Sequence, residues 1–229
     1  MEKELTLKEK YVLLAWHPEK GKPPALSGYH SYGIAGAAML ELAELNKIKV
    51  EDKKVILSDT KKTGDEALDI IIERLARAGR NKRISTWISK FAQSGAYKKI
   101  KNIILDGLVE KRYLKKEEAT ALLFFKYDKY PARDTRLRKS MIDDIQKVVL
   151  KRQLGTRDTY LLIGLAGATR ISGTFFERGE RSKARKRIKE IMKSNDIAKA
   201  LNGTVAAVQM ALIGSIAASA AATAAATSK

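Results

Sequence analysis

The chain has 229 residues, with 45 Lys and Arg against 26 Asp and Glu, two histidines and no cysteine. That length suits one domain, and an apolar fraction of 45% is enough for a sizeable core. The lack of Cys excludes disulfides, thiol catalysis, Cys-ligated zinc and iron–sulfur clusters, while a formal net charge of +19 points to a polyanionic partner: nucleic acid, an anionic membrane surface or an acidic protein.

In chain order, Leu5 to Trp16 reads as an opening helix, followed by a Pro- and Gly-rich loop from His17 to Gly28. A strong helix runs from about Tyr32 to Leu45, with Ile34, Ala38, Leu42 and Leu45 at spacings of three and four. Ile48 to Leu57 alternates around a charged turn and predicts a hairpin. Thr63-Gly64-Asp65-Glu66 has the Thr-x-x-Glu pattern of a capping box, starting a helix to about Ala78. Shorter helices are expected over Ile84 to Gln93 and Ala96 to Gly107, then a turn and short strand to Leu114. Ala121 to Lys126 and Lys126 to Pro131 predict a second hairpin. Thr135 to Lys151, Thr156 to Thr169 and Glu180 to Lys193 complete the amphipathic helices. Ala200 to Ser228 holds no charged residue, which is long enough to span a bilayer. Nothing but Ala, Thr and Ser follows Ile216 up to Ser228, however, which favours a buried central helix with an Ala-rich tail over a membrane span.

The expected fold is therefore mainly α: a single helical domain over 1–229 around a central apolar helix, with one or two small β-hairpins, an ordered core at about 5–216 and a tail at 217–229. Helix followed by hairpin occurs twice, at 45–57 and 108–125, as in a winged helix.

No catalytic constellation stands out. Gly28 to Gly33 starts like a phosphate-binding loop, but Ile34 and Ala35 stand where Lys and Ser or Thr are needed. The carboxylates lie scattered among lysines, and His17 and His30 read as surface residues. The expectation is a protein that is not an enzyme and needs no cofactor or metal.

The basic residues cluster: Arg77/Arg80/Lys82/Arg83, Lys98/Lys99/Lys101, Lys111/Arg112/Lys115/Lys116, Arg133/Arg136/Arg138/Lys139, and Arg178 to Lys193. Each alone reads as a solvated helix face; their sum exceeds what solubility needs. Lys98 and Lys101 are three apart on a predicted helix, so they share a face and are placed to grip a phosphate together. Tyr29 and Tyr32 are positioned to wall such a pocket.

Four stretches, in order, resemble the Golgi phosphoprotein 3 family of phosphoinositide-binding peripheral membrane proteins. They are Leu5 to Trp16, Gly33 to Ala43 (GIAGAAMLELA), Thr63-Gly64-Asp65 with Leu68-Asp69, and Leu108-Val109-Glu110-Lys111. The resemblance covers roughly 5–216. It implies a helical fold with a central apolar helix, and a hairpin at about 114–131 used in self-association, with Leu122, Leu123, Phe124 and Phe125 as contact candidates. It also implies a phosphatidylinositol 4-phosphate pocket made in the best-known members by a Trp, an Arg and a pair of Arg. By motif the paired positions fall on Lys98 and Lys101, the single Arg on Ala35 and the Trp near Leu26, with Tyr29 and Tyr32 nearby. Two of the four are thus lost and two softened, since Lys lacks the bidentate fork of Arg.

The chain begins almost at the domain and ends in an Ala-rich tail, which fits a prokaryotic-type member, so Golgi and coat roles are not carried over. The resulting expectation is a cytoplasmic protein, peripheral on the cytosolic face of a membrane. It would bind anionic lipid headgroups as an adaptor or scaffold, with cytosolic tails of membrane proteins as candidate clients. The alternative is a nucleic-acid-binding protein using the basic winged-helix-like region at 96–130.

Overall fold

The computed structural model describes residues 4–24, 29–79, 81–121, 125–193 and 203–227. The chain is mainly helical, as its periodicity requires. Helix α1 spans Leu7–Ala15 and α2 His30–Glu44; the hairpin β1 (Ile48–Glu51) and β2 (Lys54–Leu57) follows. Then come α3 (Glu66–Arg77), α4 (Ile84–Gln93), α5 (Gly95–Glu110) and a second hairpin, β3 (Glu117–Ala121) with β4 (Phe125–Lys129). Helices α6 (Arg136–Lys151) and α7 (Arg157–Ala168), a 3-10 turn (Ile171–Thr174), α8 (Arg181–Lys193) and α9 (Gly203–Thr227) complete the order.

The central helix is α2. Every residue from Tyr32 to Ala43 is buried, because the run of Gly, Ala, Met and Leu is apolar on nearly all sides, Glu41 apart, and is ringed by α1, α3, α4, α5, α7 and α9. This corrects the expectation that the C-terminal apolar segment is the central helix. In α9, Val205, Val208, Leu212 and Ile216 are buried on one side, while Met210 stands 55% exposed on the other. Among the described residues no helix is long and apolar enough to cross a membrane.

Glycines set how closely the helices approach. A Cβ on Gly33 would lie 2.0 Å from the Tyr11 ring, and one on Gly36 would lie 2.8 Å from Leu212. The first lets α1 sit against α2; the second does the same for α9.

Three local expectations shift. The Thr63 capping box is instead a loop. The Asp65 carboxylate caps α3 by accepting from Leu68 N–H at 3.1 Å, while the Thr63 hydroxyl donates to Asp69 at 2.8 Å. Gly64, at φ +84°, makes that turn possible. A real reciprocal cap lies at Thr6 and Glu9, where the Glu9 carboxylate accepts from Thr6 N–H at 2.9 Å. Second, α5 runs on to Glu110, so the turn expected from Gly107 begins only at Lys111. Third, the second hairpin pairs Glu117↔Lys129 through Ala121↔Phe125, so its first strand starts upstream of the expected Ala121 to Lys126. Ion pairs across the ladder favour this register: Lys129 meets Glu117 at 2.9 Å and Lys126 meets Glu118 at 3.0 Å.

Candidate anion-binding surface

Lys98 and Lys101 emerge one turn apart from α5. Lys98 is exposed and Lys101 half-buried. Burial holds the Lys101 ammonium below its ordinary pKa, and the neighbouring Lys98 pushes the same way; only Asp128 opposes them. Asp128 is already engaged by Lys116 at 3.1 Å. Among the described residues no carboxylate lies within ion-pair distance of Lys98 or Lys101. The lysine between them, Lys99, turns away towards Glu66 at 3.4 Å. Two adjacent cations with no counterion form a surface that an external anion can complete.

Tyr29 is the residue before α2, half-buried, with its ring edge-on to Tyr32 at 6.2 Å. Tyr32 is buried and its hydroxyl accepts from the Gln93 amide. Ala35 is 3% exposed, so neither it nor Tyr32 presents surface to a headgroup in this conformation. Leu26 lies outside the described residues, as do Leu122, Leu123, Phe124 and the Phe125 side chain. His30 is not a free surface residue. It is the first residue of α2, with its ring 5.9 Å from Trp16 and 6.0 Å from Tyr97. That contact seats the start of α2 against the first turn of α5, one turn before Lys101.

Arg170 escaped the reading of the sequence. It precedes the 3-10 turn in a left-handed conformation, with φ +64°. Its guanidinium carbon lies 5.5 Å from the centre of the Tyr29 ring. No local pattern marks a lone Arg between two helices, so nothing in the chain order could have brought it to Tyr29.

A cavity of about 1020 Å³ forms a groove between α4 and α9. Its floor includes Ile84, Met210 and Ala211; Lys53, Arg83 and Lys90 line it too. It reaches Ser94, the residue capping α5 one turn ahead of Lys98, whose hydroxyl is buried without a partner among the described residues. An apolar floor with cations suits an amphiphile better than a duplex.

The family model of Golgi phosphoprotein 3 (GPP34) matches residues 7–221. The chain belongs to the Golgi phosphoprotein 3 family. A VPS74-like protein of Dictyostelium discoideum is 27% identical over 158 residues, covering 63% of this chain and 60% of that relative. The chain thus matches about three fifths of that relative's length.

The motifs that mark this Golgi phosphoprotein 3 family member are mostly its internal staples. Glu41, from the GIAGAAMLELA helix, accepts from Lys8 N–H at 2.7 Å and from Lys8 Nζ at 2.6 Å. Asp65, from the Thr-Gly-Asp stretch, takes the same Lys8 Nζ at 2.6 Å. Lys111, the last residue of Leu-Val-Glu-Lys, binds Glu9 through both carboxylate oxygens, at 2.8 and 2.7 Å. These contacts tie α1 to α2, α3 and the end of α5. They hold α5 in place, and Lys98 and Lys101, without an ion-pair partner among the described residues, are upstream of the motif rather than within it.

Proposed function

We propose that this Golgi phosphoprotein 3 family protein is a peripheral membrane protein. It holds anionic phospholipid headgroups through the basic face of α5 and acts as an adaptor rather than an enzyme. The observation that carries the reading is the uncompensated Lys98–Lys101 pair on a helix anchored at its far end by Lys111 and Glu9. On this reading the protein works at the cytosolic face of a membrane. The β3–β4 hairpin is its self-association surface, and the cytosolic tails of membrane proteins are its clients.

The winged-helix alternative draws less support from the hairpin. Lys116, Lys126 and Lys129 are each paired with Asp128, Glu118 and Glu117 respectively, so the strands offer few free cations to a phosphate backbone.

Vesicle flotation tests the proposal, using phosphatidylcholine alone or mixed with phosphatidylserine, phosphatidylglycerol or phosphatidylinositol 4-phosphate. A salt concentration of about 0.15 M limits screening to roughly 8 Å. Each lysine near an anionic leaflet contributes roughly 1 kcal/mol, so Lys98→Gln with Lys101→Gln should weaken partitioning by about 30-fold. Unchanged flotation would overturn the site. Duplex DNA shifted at the same ionic strength, by a protein that fails to float, would favour the nucleic-acid reading.

The lowered pKa of Lys101 adds a pH test. An anion favours the protonated ammonium, so binding draws a proton back onto Lys101 and weakens as pH rises through its depressed folded pKa. The loss should begin below the ordinary lysine pKa of 10.5. Lys101→Arg, charged throughout, should keep vesicle binding further into the alkaline range. Identical pH profiles would exclude Lys101 from the contact.

A further inference from the structure

A second cavity, of about 480 Å³, lies at the corner where α7 passes through the 3-10 turn to α8. Three arginines line it, Arg170, Arg181 and Arg185, together with Ser172; Phe176 and Ile188 supply an apolar wall. No carboxylate lines it among the described residues. The acids nearest in sequence, Glu177 and Glu180, form no ion pair there with any of the three arginines.

Each of the three arginines keeps N–H donors that no group of the described residues takes. Arg170 is held by the Tyr29 ring, which leaves all of its N–H donors available. Arg181 donates Nε–H to the Phe176 carbonyl at 3.2 Å, which orients the side chain and leaves its terminal nitrogens unused. Arg185 follows Arg181 by four residues, so the two project from the same face of α8. Like charges at that spacing weaken a helix, and Arg170 adds a third cation to the lining of the same cavity. Among the described residues no carboxylate lines the cavity to offset this cost, whereas a bound dianion would.

We propose that this cavity is a phosphate-binding site, distinct from Lys98 and Lys101, that takes a phosphomonoester on a small organic body. Guanidinium forks match phosphate oxygens two at a time, and three of them outnumber the charge of one phosphomonoester dianion. The volume lies in the range of small-molecule sites and exceeds what a bare phosphate fills, so the apolar wall faces the body that carries the phosphate. The proposal does not depend on the reading of Lys98 and Lys101. The phosphomonoester can be a lipid headgroup or a free metabolite, and the test separates the two.

The full chain would be titrated with inositol 1,4-bisphosphate and with inorganic phosphate, following the Arg Nε–H signals and the backbone amides of Gly173 and Ala184 by NMR. Saturable shifts are expected at these positions. They should require at least ten times more ligand in Arg185→Gln and in Arg170→Asn, where Asn tolerates the left-handed backbone. Both sites are exposed, so the fold should survive, and an unchanged dispersed spectrum would verify it. Lys98→Gln with Lys101→Gln should leave the shifts intact. If the two arginine variants also lose flotation on phosphatidylinositol 4-phosphate vesicles, the ligand is the lipid headgroup. If they lose only the soluble ligand, it is a free phosphomonoester. Absence of saturable shifts in the unaltered protein, or shifts indifferent to both arginine substitutions, would overturn the proposal, whatever vesicle binding shows for the lysine pair.

Discussion

Lys8→Met should cost about 3–5 kcal/mol of folding stability in denaturant unfolding, the range for breaking one side of a buried ion pair. The Lys8 side chain is 3% exposed and its ammonium lies 2.6 Å from both Glu41 and Asp65. Burial alone would lower its pKa, but the two carboxylates outweigh burial and raise it, so the ammonium stays charged. Glu41 sits in the buried stretch of helix α2, where burial pushes its carboxyl above the usual range and Lys8 pulls it back. Without Lys8, Glu41 either keeps a charge in an apolar core or takes up a proton.

The sign with pH follows. In the variant the folded pKa of Glu41 rises further above its unfolded value. Stability is then retained below the unfolded carboxylate pKa and lost as pH rises through the folded one. The deficit relative to the unaltered chain should be greatest near neutrality and shrink towards about pH 4. Replacing both partners, Lys8→Met with Glu41→Leu, should recover much of the loss, since Asp65 keeps 30% side-chain exposure and remains solvated. A Lys8→Met chain as stable as the original at neutral pH would show that the triad contributes nothing net.

Gly33→Ala should be nearly as damaging, at about 3 kcal/mol, the upper part of the range for overpacking a filled core. The added Cβ would fall 2.0 Å from both Cζ and Oη of Tyr11. Tyr11 is fully buried, so its ring cannot swing into solvent, and α1 must move off α2. The contrast is Gly173→Ala, where nothing stands within 4 Å of the new Cβ and stability should hardly change. Shortening the ring, Tyr11→Leu in the Gly33→Ala background, should restore part of the loss. Equal melting temperatures for Gly33→Ala and Gly173→Ala would show that the α1–α2 approach is looser than described.

Gly33 shows where the sequence is informative and where it stops. Its place in a run of small and apolar residues predicts a helix, and the helix is there, from His30 to Glu44. That this run is the centre of the molecule, and α9 only a flanking helix, is a matter of how many neighbours surround each. Periodicity along one segment does not count neighbours. The same holds for Thr63, whose spacing to Glu66 matches a cap while Asp65, two residues on, has the geometry to form it.

The sequence by itself determined the helical class, the presence of small hairpins, the family and the placing of Lys98 and Lys101 one turn apart on a helix. Each of these depends on residues within a few positions of one another or on motifs in order along the chain. Tertiary structure alone decided which cations are free. Lys99, Lys111 and Lys116 carry the same formal charge as Lys98, yet each meets a carboxylate supplied by a different element. It also brought Arg170 onto Tyr29 and into one cavity with Arg181 and Arg185. Charge neutralisation and cavity formation depend on distances through space, and helix packing sets those distances only once the core has closed.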